Sequence, residues 1–263
     1  MTSEQDELGH RMVGGGAADL ERLRLLQTST DIFTQENITA LSLPERARCL
    51  ELGAGAGAVA AWLATEHPEG QVLAVDADTS ALGSLPNNVT VEQNDITSPA
   101  FQPGEGIYDL VHCRFVLSHA ATREELVRRA ARWLRPGGWL ILTEPFHLDP
   151  DTSPHPVVGR VLQAYWELAV RGGADLRWSR QIPFHLASAG LADVDFRARA
   201  GLLGGGSQDR WRPLLEPVAA ELLRYGGVTQ QDLDEVFELL GREDFLDIPQ
   251  IIIAGWGRRP LEG

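Results

Sequence analysis

The chain contains no lysine; all 23 of its basic residues are arginine. Mechanisms that need a lysine imine, or the phosphate-binding lysine of a P-loop, are thereby excluded. It has only two cysteines, Cys49 and Cys113. Both sit in apolar runs that read as strands, so buried free thiols are expected and not a disulfide. No uncharged apolar stretch is long enough to cross a bilayer, and no membrane partner is expected. Residues Met1 to Asp6 are polar and acidic, unlike a secretory leader, so the expected location is the cytoplasm. Positive charge is scarce as well. With 37 acidic residues the formal net charge is −14, which repels phosphate backbones and makes nucleic acid a poor partner.

What is present suffices for a full core. The 263 residues, 43% of them hydrophobic, suit one large domain with a modest appended cap. Leu20, Leu23 and Leu26 recur at helical spacing and predict a helix from Ala17 to Leu26. A second helix is predicted from Asp31 to Leu41, stopped by Pro44. The texture then changes. Short apolar runs at 48–52, 71–75, 89–93, 108–113 and 139–143 alternate with helical patterns at 59–65 and 122–134. That alternation predicts an α/β fold with a doubly wound, mostly parallel sheet covered on both faces.

Past Glu144 the alternation loosens. A loop is predicted over 146–156 and helices over 157–171, 180–189, 211–225 and 229–240, with Gly190 placed as a helix cap. Strands at 194–200 and 250–256 bring the sheet to seven, and 201–207 reads as flexible. The expected organisation is an N-terminal helical segment or lid at 1–44 and a main domain at 45–263. Cap insertions are expected at about 146–178 and 201–248. Tyr165, Trp166, Trp178, Phe184, Trp211, Tyr225 and Phe237 cluster in this half. Each alone is more often core than site, and together some of them are expected to line an apolar pocket.

Chemistry concentrates where strands end. Glu51-Leu52-Gly53-Ala54-Gly55-Ala56-Gly57 lies between a strand and a helix. Glycines there allow a sharp turn and a ligand close to the backbone, and the following helix offers free N–H groups. Gly53-x-Gly55-x-x-Ala58 also fits a loose dinucleotide fingerprint. A carboxylate at Glu51, however, repels a pyrophosphate and attracts a cationic amino group. Asp76 ends the next strand and can accept from both hydroxyls of a ribose, whichever ligand is bound. Asn94-Asp95-Ile96 ends the third strand, where Asp95 can accept from an adenine amine and Ile96 can pack on the ring. For either aspartate alone a turn or helix-cap role is the commoner one.

The residues 48–144 resemble the class I S-adenosylmethionine-dependent methyltransferases. The matching pieces are ELGAGAG (51–57), VLAVDAD (72–78), QNDI (93–96), YDLVHCRFVLSH (108–119) and LRPGGWLILTEP (134–145), in the family's order. Within the family the chain is similar to the small-molecule branch of bacterial secondary metabolism. The resemblance implies a Rossmann-like fold, S-adenosylmethionine as cofactor and S-adenosylhomocysteine as product. It implies that Gly53, Gly55 and Gly57 pass beneath the methionine moiety, Asp76 holds the ribose, and Ala77 packs on adenine. Asp95 and Ile96 would read the adenine edge, and the Cys113 carbonyl would meet the amino group. Pro136-Gly137-Gly138 would be the turn into the fifth strand.

The expected acceptor is a small, largely apolar metabolite methylated on O, N or C, and the expected assembly a monomer or homodimer. Where the acceptor needs a base, His119 is the first candidate and His147 the second. His112 precedes the strand tip and is placed third. Arg114 either meets the cofactor carboxylate or pairs with an acid such as Glu144. His147, Asp149, Asp151 and His155 are too irregularly spaced for a metal site, and none is expected. Two other functions stay open. One is a cofactor-binding protein with a cyclase or binding role. The other is a nicotinamide oxidoreductase, which Glu51 disfavours.

Overall fold

The computed structural model describes residues 20–261, so the predicted helix start at Ala17 lies outside the described residues. The first element is one helix, α1 (Leu20–Thr39), where the sequence predicts two. Nothing between the two apolar segments breaks it, for the stretch holds neither glycine nor proline. The Thr28 hydroxyl instead bonds back to the Arg24 carbonyl at 2.8 Å, which keeps its polarity inside the helical ladder.

Five strands and two helices follow, with no α-helix between β2 and β4: β1 (Arg48–Leu52), α2 (Ala58–Glu66), β2 (Gln71–Asp76), β3 (Val89–Gln93), β4 (Tyr108–Arg114), α3 (Arg123–Trp133) and β5 (Leu134–His147). Then come α4 (Pro156–Arg171), α5 (Ile182–Ser188), β6 (Ala192–Gly204), the short α6 (Arg212–Leu215), α7 (Ala219–Tyr225), α8 (Gln230–Leu240) and β7 (Leu246–Arg258). The seven strands form one sheet in the order β3-β2-β1-β4-β5-β7-β6. β1 pairs in parallel with both β2 and β4, β2 with β3, and β4 with β5. β7 runs against β5: the Gly137 N–H donates to the Arg259 carbonyl and the Arg259 N–H to the Gly138 carbonyl, both at 2.8 Å, and the Leu148 N–H donates to the Pro249 carbonyl at 3.0 Å. The fold is thus α/β with a mostly parallel sheet.

Several boundaries differ from expectation for visible reasons. The Pro136-Gly137-Gly138 turn lies inside β5, at a register shift between Tyr108 and Leu110 of its neighbour. Gly137 takes φ +81 there, which lets the strand bulge without ending. β6 is nearly twice its expected length. It is an edge strand with mostly exposed residues, so buried alternation could not mark its limits. The span 201–207, read as flexible, continues β6 to Gly204 and then turns. The helix expected over 211–225 breaks into α6, a 3-10 turn at Glu216–Val218 and α7. Pro217 has no N–H to continue the ladder.

The chain divides into two compact units. One holds residues 20–144, Ser179–Arg197 and 253–261. Its core packs Cys49, Leu110 and Ile141 of the strands against Ile38 of α1 and Val59, Ala60 and Leu63 of α2. The other holds Pro145–Trp178 and Ala198–Ile252. It has its own core around Val161, Leu168, Trp211, Leu215, Leu222 and Val236. Within it, α8 starts on a capping box between Thr229 and Asp232. The Asp232 carboxylate also takes the Arg160 guanidinium of α4. The Thr229 hydroxyl and Arg160 together hold that carboxyl well below its usual range. Among the described residues, no helix is long and apolar enough to cross a membrane.

Candidate functional site

The sheet order reverses at β1, which lies between β2 and β4. At such a point the connections leave to opposite sides and open a crevice at the carboxyl ends of the strands. Residues 51–57 fill the rim of that crevice. Gly53 and Ala54 both donate to the Val75 carbonyl, at 2.8 and 3.1 Å, so the turn after β1 is tied to the end of β2. Gly53 has φ +72, and a Cβ on it would stand 2.2 Å from Val116 Cγ2. The protein's own β4 exit loop therefore demands this glycine. Gly55 differs: with φ +55, its added Cβ would meet Leu23 Cδ2 at 3.8 Å, an ordinary van der Waals contact, and among the described residues nothing crowds it. Gly57 caps α2.

Asp76 sits at the end of β2, half-buried. One carboxylate oxygen accepts the Gly55 N–H at 2.8 Å and the other accepts the Asp78 N–H at 3.0 Å. Ala77 beside it is exposed. The end of β3 is fastened to the same place, since the Asn94 N–H donates to the Asp76 carbonyl at 2.9 Å. The Asn94 side chain turns back to Glu92. Asp95 is exposed and accepts from the Thr97 N–H and hydroxyl at 2.8 and 2.6 Å. Ile96 is buried. Gly55, Asp76, Ala77, Asn94 and Asp95 thus line adjacent strand ends within one unit.

Glu51 and His112 face each other across β1 and β4. His112 Nδ1 and Glu51 Oε2 lie 2.6 Å apart, and both side chains are buried. The Glu51 carboxylate therefore meets a histidine of the chain itself. His112 Nε2 is buried without a hydrogen-bond partner among the described residues. The side chains of Cys49 and Cys113 are buried free thiols, and burial pushes both thiols above their ordinary range. Arg114 donates to Asp31 at 2.9 Å and to Thr34 at 3.0 Å, which ties the end of β4 to α1. Arg114 thus pairs with an acid, as one of the two alternatives from sequence has it, but the acid is Asp31 and not Glu144.

Glu144, weighed there as a partner of Arg114, has a different role. Fully buried at the end of the β5 core, it accepts the N–H groups of Val116, Leu117 and Ser118 at 2.8, 2.7 and 3.1 Å. It also accepts the Ser118 hydroxyl. Burial raises its pKa, and the Ser118 hydroxyl and the three amides oppose that rise. His119 closes this loop, half-buried on the 3-10 turn Leu117–His119.

Arg129 is a second residue that sequence reasoning missed. It lies on the apolar stripe of α3 and is 4% exposed. Its guanidinium donates to the carbonyls of Ile96, Thr97, Ser98 and Phe101, so it pins the segment that follows β3. A cation among Leu126, Val127 and Ala130 was the only available signal.

His147 belongs to the other unit. It is buried, stacked on Tyr165 at 6.3 Å and edge-on to Trp211 at 5.8 Å. A cavity of about 160 Å³ opens beside it, lined also by Asp149, Leu162, Trp166 and Asp247. Trp178 and Trp211 are fully buried and Tyr165 nearly so, whereas Phe184 is exposed. His155 packs against Phe245. Among the described residues, no three His, Cys, Asp or Glu side chains gather as a metal site.

A family model described as a methyltransferase domain matches residues 27–186. Methyltransferase str3 of Strobilurus tenacellus is 33% identical over 128 residues, 48% of this chain and 46% of that protein. The chain thus matches less than half the length of that relative. Among solved structures, Haemonchus contortus phosphoethanolamine N-methyltransferase 2 in complex with S-adenosyl-L-methionine superposes with a TM-score of 0.53 at 18% identity. That likeness covers 81% of this chain and 49% of the other. The [4+2]-cyclase SpnF superposes with a TM-score of 0.51 at 18% identity, covering 82% and 75%. At such identities these two likenesses show the fold.

Proposed function

The chain belongs to the methyltransferase domain family, and from that premise we propose that it binds S-adenosylmethionine and methylates a small, largely apolar molecule. The observation that carries this reading is the positive-φ glycine turn at Gly55, latched to the Asp76 carboxylate at 2.8 Å. A glycine that no described residue crowds, beside a carboxylate at the next strand end, fits an adenosyl ligand. Gly53 to Gly57 would run beneath its amino-acid end and Asp76 would accept from its ribose. Ala77, Asn94 and Asp95 would border its adenine, with Ile96 buried behind them.

When bound, the sulfonium supplies an electrophilic methyl group. The chain's own task is then to exclude water and hold the acceptor in line with the methyl–sulfur bond. For a hydroxyl acceptor a proton must also leave, and His119 is the residue we assign to take it. His147 is the second candidate, because it lines the cavity of its unit. The natural-product character of the acceptor is part of the same proposal.

Calorimetric titration with S-adenosylhomocysteine tests the cofactor reading. Wild-type protein is expected to bind. Asp76→Ala should bind about 100-fold more weakly, because two charge-assisted hydrogen bonds and the Gly55 latch are lost together. Absence of binding heat in the wild type would refute the reading. A second expectation concerns turnover, read with any acceptor that yields S-adenosylhomocysteine. His119→Ala should keep the wild-type affinity for the cofactor and lose at least about tenfold in kcat. An unchanged kcat removes His119 from the reaction, and binding without product from any acceptor supports a non-methylating role.

A further inference from the structure

The β4 exit loop is built around a carboxylate. Phe115 has φ +59, a conformation that a non-glycine side chain adopts only when its surroundings impose it. Straight after it, three consecutive amides point at Glu144. Such a run of N–H groups forms a concave anion site, and here an internal side chain occupies it. Among the described residues, the partners of Glu144 are these amides and the Ser118 hydroxyl, with no arginine among them. A buried carboxylate without a counter-cation depends on every one of these donors. The loop in turn places Val116 so close to Gly53 that no Cβ fits between them.

We propose that Glu144 is a positioning residue of the cofactor site, acting through residues 115–118 to hold Val116 against the Gly53 turn. The proposal rests on the cofactor reading above. Without the carboxylate, three amides lose their acceptor, and the strain at Phe115 is no longer opposed by the bonds to residues 116–118, although the Phe115 N–H keeps its bond to the Thr143 carbonyl at 2.9 Å. The loop then relaxes and the wall behind Gly53 goes with it. A glutamine keeps one carbonyl acceptor but presents an amide donor to the N–H groups, so shape is conserved and the hydrogen-bond pattern is not.

The experiment is S-adenosylhomocysteine calorimetry on Glu144→Gln, run below the thermal transitions of both proteins, with hydrogen exchange followed at 116–118. The dissociation constant is expected to rise at least about tenfold, with faster exchange at those amides. A purely structural role would lower the transition temperature and leave the affinity of the folded protein unchanged. A constant within about twofold of wild type therefore overturns the proposal. If Glu144→Gln does not fold, Ser118→Ala removes one of the four bonds. It should weaken binding about threefold, and an unchanged constant again overturns the proposal. Failure of the wild type to bind is separate, since it defeats the cofactor reading itself.

Discussion

Gly53→Ala should abolish measurable binding of S-adenosylhomocysteine while the sheet stays folded. Two effects add at this position. With φ +72, a Cβ in the left-handed region costs about 1–2 kcal/mol. The same Cβ would also stand 2.2 Å from Val116 Cγ2, and overpacking of this kind costs about 1–3 kcal/mol more. Val116 cannot retreat freely, because its own N–H is bonded to Glu144 at 2.8 Å. The turn must therefore move toward the proposed ligand, and a weakening of about 100-fold or more follows. Calorimetry on the single variant measures the loss. The double variant Gly53→Ala with Val116→Ala should recover part of it, since the clash is removed and the φ penalty stays. Wild-type affinity in Gly53→Ala would show that the turn is not part of the site.

The second large effect is on stability. Arg129→Ala should lower the unfolding free energy by about 3–5 kcal/mol. The guanidinium bonds the Ser98 carbonyl at 2.9 Å and reaches those of Ile96, Thr97 and Phe101. It also lies over the Trp133 ring at 5.3 Å. Removing it leaves carbonyls in a buried place without donors, which costs more than the bonds themselves contributed. Urea denaturation reads the effect as a fall in midpoint with an unchanged slope. Arg129→Lys should restore little, because one compact ammonium cannot reproduce a planar fork aimed at separate carbonyls. Full recovery with lysine would mean that charge alone, and not geometry, holds the segment.

The inner strands β1, β2 and β4 were readable because parallel strands covered on both faces stand out as short apolar runs, and the edge strand β3, though mostly exposed, kept its valines at alternate positions. β1, β2, β3 and β4 fall within a residue of their predicted limits. The glycine turn was readable for a similar reason: its requirement is local to the backbone. The edge strand β6 was readable at 194–200 but its limits were not, since its exposed residues lack the alternation that burial imposes. Pro217 was visible, but its effect depends on the register of the helix around it. The roles of Glu144 and Arg129 were hidden for a different reason. Both side chains bond to backbone atoms 26 to 33 residues away, and backbone partners leave no mark in a sequence. Glu51 showed a related failure. Its charge was legible, but its neighbour His112, 61 residues on, was not.

The bond between Arg114 and Asp31 spans 83 positions. On a ribosome adding roughly 5–20 residues per second, α1 would wait about 4–17 s for the strand that completes it. During that interval Asp31 and Thr34 lack the guanidinium that later bonds both, while β1, α2 and β2, which share a core with Ile38, emerge before β4 does. The helix thus gains its contacts in two stages, the apolar ones first. The ionic one waits for the translation of β4.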